Sequence, residues 1–170
     1  IEAFNANDQE LYAQYIPNAK SWAFLSENIP LFECPDKTIE QTYYFRWWTY
    51  RKHLQKTPDG FVITEFLPKV PWSGKYNTIS CAAALHIYEG SWLNDQQFIS
   101  DYEKFWLAGG LPGLRTYSFP LAHAMLRQAE VTNDTTLVVA ALPGLVKNYL
   151  VWEKENLDSN GLYWQQDGKD

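Results

Sequence analysis

QTYYFRWWTYRKHL, residues 41–54, mixes six aromatic rings with two arginines, a lysine and a histidine. At helical spacing it places Ile39, Tyr43, Trp47, Tyr50 and Leu54 on one side, and Tyr44, Trp48 and Arg51 on a second. A surface helix needs only one apolar stripe. Rings on two sides predict a helix that packs on one side and lines something on the other. The plainer alternative is that both sides are core. Against it stand Arg46 and Arg51 among the rings, since a core helix seldom takes an unpaired Arg. An arginine beside a Trp suits a polar, flat-faced ligand, through fork hydrogen bonds and stacking.

Upstream, Pro35-Asp36 opens this helix, with Asp36 and Glu40 at the end of the dipole that favours acidic charge. Asn7-Asp8-Gln9-Glu10 predicts a capped helix to about Tyr15, stopped by Pro17. Asn18 predicts the cap of a second helix, with Trp22 and Leu25 inside, ending before Pro30. Downstream, Thr57-Pro58-Asp59-Gly60 is a turn, because Pro presets φ and Gly accepts a positive one. Phe61–Thr64 is a short strand candidate. The loop EFLPKVPWSGKYN, residues 65–77, is too interrupted by Pro68, Pro71 and Gly74 for regular structure.

Further helices are expected at Thr78 to about Glu89, after the Asn94-Asp95 cap, at about Tyr117 to Glu130, and after the Asn133-Asp134 cap. Their expected faces are Cys81, Leu85, Tyr88 and Trp92; then Phe98, Tyr102 and Phe105; then Ala122, Met125 and Ala129; then Val138, Ala141, Leu145, Tyr149 and Trp152. Pro143-Gly144 predicts a kink or split in the last helix. Asp158–Gly161 is a turn. Two short strand candidates do not make a sheet, so the expectation is an all-α chain forming a single domain over residues 1–170.

The totals narrow the function. A net charge of -6, with a pI near 5.0 and no basic patch, argues against nucleic acid. No run approaches the ~18 apolar residues of a membrane span. Ile at position 1 predicts a processed or trimmed chain and leaves the compartment open, periplasmic or secreted included. Cys34 and Cys81 lack zinc spacing and read as two buried thiols. Glu-x-x-His occurs nowhere, and phosphate-loop and dinucleotide fingerprints are absent, so neither a metal nor a cofactor is expected. The 16% aromatic content instead fits platforms for ring-shaped ligands.

Three groups of residues could carry chemistry. The aromatic helix offers Phe45, Trp47, Trp48 and Arg51; the loop offers Glu65, Trp72, Tyr76 and Asn77 beside Lys75; the next helix offers His86 and Glu89 three residues apart. Each has a bland reading, as core, ordinary loop and satisfied histidine. Glycoside hydrolysis takes two carboxyl groups, and spacing alone selects no pair from this chain.

The C-terminal stretch LPGLVKNYLVWEKENLDSNGLYWQQDGKD, residues 142–170, resembles the α/α-toroid glycoside hydrolases, in the branch of α-glucosidase I, mannosylglycerate hydrolase and trehalase. The motifs are a helix start at Leu142, Pro143 and Leu145, the aromatic pair Tyr149 and Trp152, Asp158, and Gly161-Leu162 before a Trp-rich loop. The resemblance sets the aromatic helix where relatives have a Trp-Asp contact to sugar, with Trp48-Thr49 here. It implies an inverting hydrolase on an (α/α)6 barrel, of which this chain is the first half. Its partners are then an oligosaccharide or glycoside substrate and the remainder of the barrel. The family's general acid follows the Gly-Leu/Trp loop. Asp167 and Asp170 approach that segment, the acid itself is expected beyond them, and the base is expected from the second half. A non-catalytic carbohydrate-binding or scaffold domain is the main alternative. A helical isoprenoid enzyme is weaker, because its Asp-rich metal motif is missing.

Overall fold

The computed structural model describes residues 1–108 and 114–166. Among them are seven α-helices: α1 Glu2–Ala6, α2 Ser21–Asn28, α3 Lys37–His53, α4 Ser80–Gly90, α5 Gln97–Ala108, α6 Leu121–Thr132 and α7 Thr136–Asn156. The chain is mostly helical, as its periodicity implies. It adds one antiparallel hairpin, β1 Leu54–Thr57 and β2 Gly60–Ile63, registered Leu54 with Ile63 and Thr57 with Gly60.

The aromatic helix α3 starts where its cap predicts. The Asp36 carboxylate accepts from the Thr38 and Ile39 amides, a cap worth about 1 kcal/mol. It ends at His53 and passes directly into β1, so Leu54 belongs to the strand. Pro58-Asp59 makes the turn, and Gly60 takes φ +102° at its exit. The Asp101 side chain of α5 lies against that glycine and accepts from the Phe61 amide at 3.2 Å, so the hairpin tip is fastened to α5. Phe61 and Phe98 pack ring to ring at 4.6 Å beside it.

Helices α3, α4 and α5 converge at Gly90. A Cβ there would stand 2.1 Å from Ile99 Cδ1 and 2.2 Å from the Tyr50 hydroxyl, so only glycine permits the approach. Around it lies the core of Trp47, Tyr50, Leu54, Val62, Ile87 and Tyr102. Helix α6 packs on α4, and α7 on α6 and α5.

Five local expectations need correction. Residues 8–15 form no helix; the first helix is Glu2–Ala6. Trp22 is exposed, while Leu25 is buried as expected. On α4 the Cys81, Leu85, Tyr88 and Trp92 face is the outward one, and Ala83, Ala84 and Ile87 are buried instead; Cys81 is exposed and Cys34 half-buried. Small residues let α4 approach its neighbours, and the larger side chains are displaced to the far side. Of the kink or split expected at Pro143-Gly144, the split is excluded: Pro143 lies within one 21-residue helix, so Leu142-Pro143 does not start it.

Candidate functional site

Helix α3 presents Phe45, Thr49 and His53 along one line, at i, i+4 and i+8, and this line borders a cavity of about 360 Å3. Ile63 and Glu65 close it from the end of the hairpin, and His86 and Glu89 from α4. Four of the sequence-derived candidates, Phe45, Glu65, His86 and Glu89, therefore meet around one space. The hairpin makes this happen. Thr64 N–H donates to the His53 carbonyl at 2.9 Å, and the Thr64 carbonyl lies 2.8 Å from His53 Nδ1, which turns Glu65 back toward α3. Glu65 N–H donates to the Asn77 carbonyl at 3.1 Å, tying the start of the long loop to its end.

The two carboxylates differ in character. Glu89 receives a fork from Arg46, with Nε at 3.1 Å and Nη2 at 2.8 Å, which fixes the plane of its carboxyl group. Glu65 has no such partner among the described residues, and burial pushes its carboxyl above the ordinary value. His86 Nε2 stands 3.6 Å from Glu65 Oε2, and its Nδ1 is 3.3 Å from the Tyr102 hydroxyl. Burial, and then the neighbouring His53, hold the His86 imidazole down to about 4. At neutral pH it is therefore uncharged, and its contact with Glu65 is not an ion pair. When Tyr102 donates to Nδ1, the imidazole proton sits on Nε2 and faces Glu65. The cavity thus combines the half-exposed Phe45 ring, a fixed carboxylate, a second carboxyl with raised proton affinity, and a neutral imidazole.

The other candidates lie elsewhere. Trp47 is buried and borders a second cavity of about 780 Å3, with Tyr43 and Tyr88. The Tyr44, Trp48 and Arg51 side of α3 carries the N-terminal segment. Tyr44 bonds both backbone groups of Phe32, and Trp48 Nε1 donates to Asn5 Oδ1 at 2.8 Å. Arg51 is fully buried and donates to Gln14 Oε1 at 2.7 Å, to the Ile16 carbonyl at 2.6 Å and to Asn18 Oδ1. The anomaly of an Arg among rings is real, but its answer is a set of oxygens 33 to 37 residues upstream. Trp72 is 57% exposed and meets Phe66 edge-on. Tyr76 packs toward Phe105 at 5.9 Å, with Lys75 over its ring. Asn77 commits its side chain to the Phe66 and Pro68 carbonyls, the Ser73 hydroxyl and the Val70 amide. Tyr76 and Asn77 both hold positive φ, 57° and 63°, conformations that non-glycine residues adopt only where the surroundings enforce them. Asp167 and Asp170 lie outside the described residues.

Residues 75–170 match the mannosylglycerate hydrolase MGH1-like glycoside hydrolase domain. The chain belongs to that family. A solved structure named sialidase is 41% identical, with a TM-score of 0.92, over 98% of this chain. The chain spans 16% of the length of that solved chain. No curated protein is similar enough to count as a match. The MGH1-like match begins at Lys75, so α3 lies upstream of it, and the loop end at Tyr76-Asn77 enters it. The family alignment therefore rests on helices α4 to α7, not on Trp48-Thr49. Sequence reasoning missed His53 and Tyr102. The signal for His53 is its spacing four residues beyond Thr49; Tyr102 gives none, being one ring in an ordinary core stripe.

Proposed function

We propose that this chain forms one wall of the sugar-binding site of an inverting glycoside hydrolase built on an (α/α)6 barrel. The observation that carries this reading is the meeting of Phe45, Glu65, His86 and Glu89 at one cavity, in a chain of a glycoside hydrolase family. A sugar presents C–H faces to rings and hydroxyls to carboxylates. Phe45 takes the first role. Glu89, fixed by Arg46, accepts hydrogen bonds from sugar hydroxyls, and Glu65 with the neutral His86 orients a second polar group. Trp72, Tyr76 and Asn77 belong to the adjoining loop wall, and Trp47, Trp48 and Arg51 support α3 behind it.

The chemistry itself needs a carboxylic acid that protonates the leaving oxygen and a carboxylate that activates water across the ring. The acid belongs to the segment containing Asp167 and Asp170 or following it. Ahead of that segment, Asn156 and Trp164 exchange two hydrogen bonds, and Leu157 pairs with Tyr163. The base comes from the remainder of the barrel. Exposed apolar side chains on α7, among them Val139, Leu142 and Val146, support further chain packing there.

The test uses the protein encoded by the complete open reading frame, on a panel of aryl glycosides, with the anomer of the released sugar followed by NMR. Hydrolysis with inversion, and a Glu89→Gln variant with KM raised at least tenfold, are the expected results. Glycan binding without hydrolysis of any glycoside would instead identify a non-catalytic binding domain. Retention of configuration would refute the inverting assignment.

A further inference from the structure

The larger cavity, of about 780 Å3, adjoins the first and shares Arg46 and Glu89 with it. Both volumes fall in the range of roughly 300–1,000 Å3 usual for small-molecule sites. Its walls are the Leu31-Phe32 backbone and side chains, Tyr43 of α3, Tyr88 of α4, and Trp92 just beyond α4. This wall is braced before any ligand arrives. Tyr43 donates its hydroxyl to the Pro30 carbonyl and packs its ring on Phe32 at 5.0 Å, while Tyr44 accepts from the Phe32 amide at 3.1 Å and donates to its carbonyl at 2.9 Å. Two tyrosines thus fix a segment that has no secondary structure of its own. Trp92, by contrast, is 56% exposed.

One polar device interrupts the rings. Arg46 gives Nε and Nη2 to Glu89, and its side chain is still 65% exposed. Nη1 takes no partner among the described residues. A flat fork with a spare donor edge, beside ring faces, is the chemistry that recognises a pyranose: C–H face on the rings, hydroxyls on the fork. We propose that this cavity binds a second sugar unit of the substrate, next to the unit held by Glu65 and Glu89, with the Arg46–Glu89 pair between the two. The proposal rests on the reading of the first cavity as a sugar site. Shared walls are its argument: Arg46 and Glu89 line both cavities, so ligands in the two stand side by side across that pair.

The test compares an aryl monoglycoside with an oligosaccharide carrying the same terminal sugar, in the protein of the complete reading frame. Trp92→Ala is expected to lower kcat/KM at least tenfold on the oligosaccharide and less than twofold on the monoglycoside, with Trp92→Phe recovering most of the loss. Equal loss on both substrates, or loss on neither, overturns the second subsite while leaving the first intact. A lowered melting temperature with unchanged discrimination between substrates also overturns it, and identifies Trp92 as a packing residue under further chain. If the wild type hydrolyses neither substrate, the functional reading fails separately. The cavity is then judged by calorimetric titration with the same oligosaccharide: binding weakened tenfold by Trp92→Ala supports it, and absence of binding overturns it.

Discussion

Glu103 on α5 is fully buried, and both of its carboxyl oxygens lack a hydrogen-bond partner among the described residues. Burial pushes its carboxyl from the ordinary 4.5 up to about 8, with Lys104 opposing weakly. At neutral pH it is therefore protonated. Between pH 4.5 and about 8 the folded chain holds a proton that the unfolded chain has lost, so stability falls as pH rises through that window and stays low above it. At 1.36 kcal/mol for each tenfold in proton affinity, the full loss is about 5 kcal/mol, an upper limit that relaxation and water entry reduce to a few kcal/mol. Glu103→Gln keeps the shape and removes the titration. The assay is hydrogen–deuterium exchange of peptides covering α5, comparing variant and wild type at each pH from 5 to 9. The variant should match wild type near pH 5 and exchange at least tenfold more slowly by pH 8. A ratio that does not change with pH would refute the argument, since a purely steric effect of the amide has no such dependence.

Three further outcomes are expected. Arg51→Met strips donors from Gln14, Ile16 and Asn18 and should loosen the N-terminal segment by roughly 1–3 kcal/mol for each acceptor left buried and unpaired; limited proteolysis between residues 7 and 17 should accelerate at least tenfold, and an unchanged rate contradicts the pinning role. Gly60→Ala places a Cβ 2.8 Å from Asp101 Oδ2 at φ +102° and should cost about 1–3 kcal/mol; a thermal melt within experimental scatter of wild type shows that the hairpin tip is not fastened to α5. The His86 Cε1–H resonance should stay flat from pH 8 to 5.5 and titrate near pH 4; the unfolded chain gains that proton earlier, from pH 6.5 downward, so acidification through this interval costs stability. A His86 midpoint near 6.5 removes the neutral imidazole from the site.

The helices were legible because caps and periodicity are local. Asp36, Asp95 and Asp134 each accept from an amide two residues on, and the stripe of Phe98, Tyr102 and Phe105 is buried as its spacing implies. What failed was assigning faces. On α4 the large apolar residues looked like the packed side, yet a close approach of three helices selects Ala83, Ala84 and Gly90, and no periodicity rule weighs small residues that way. Arg51 failed for another reason. Its partners are polar groups on an irregular segment, which leave no pattern of their own. The site was half legible: Glu65, His86 and Glu89 were chosen for chemistry, but only the hairpin between α3 and α4 determines that Phe45 joins them and that Trp48 does not.

That hairpin also governs where the chain tolerates a change of length. Helix α3 runs into β1 without a spacer, Thr64 closes on His53, and Asp101 grips the tip. One residue added to either strand reverses every side chain after it and turns Glu65 away from α4. Insertions in related chains should therefore be excluded from residues 54–65 and collect instead between Phe66 and Gly74.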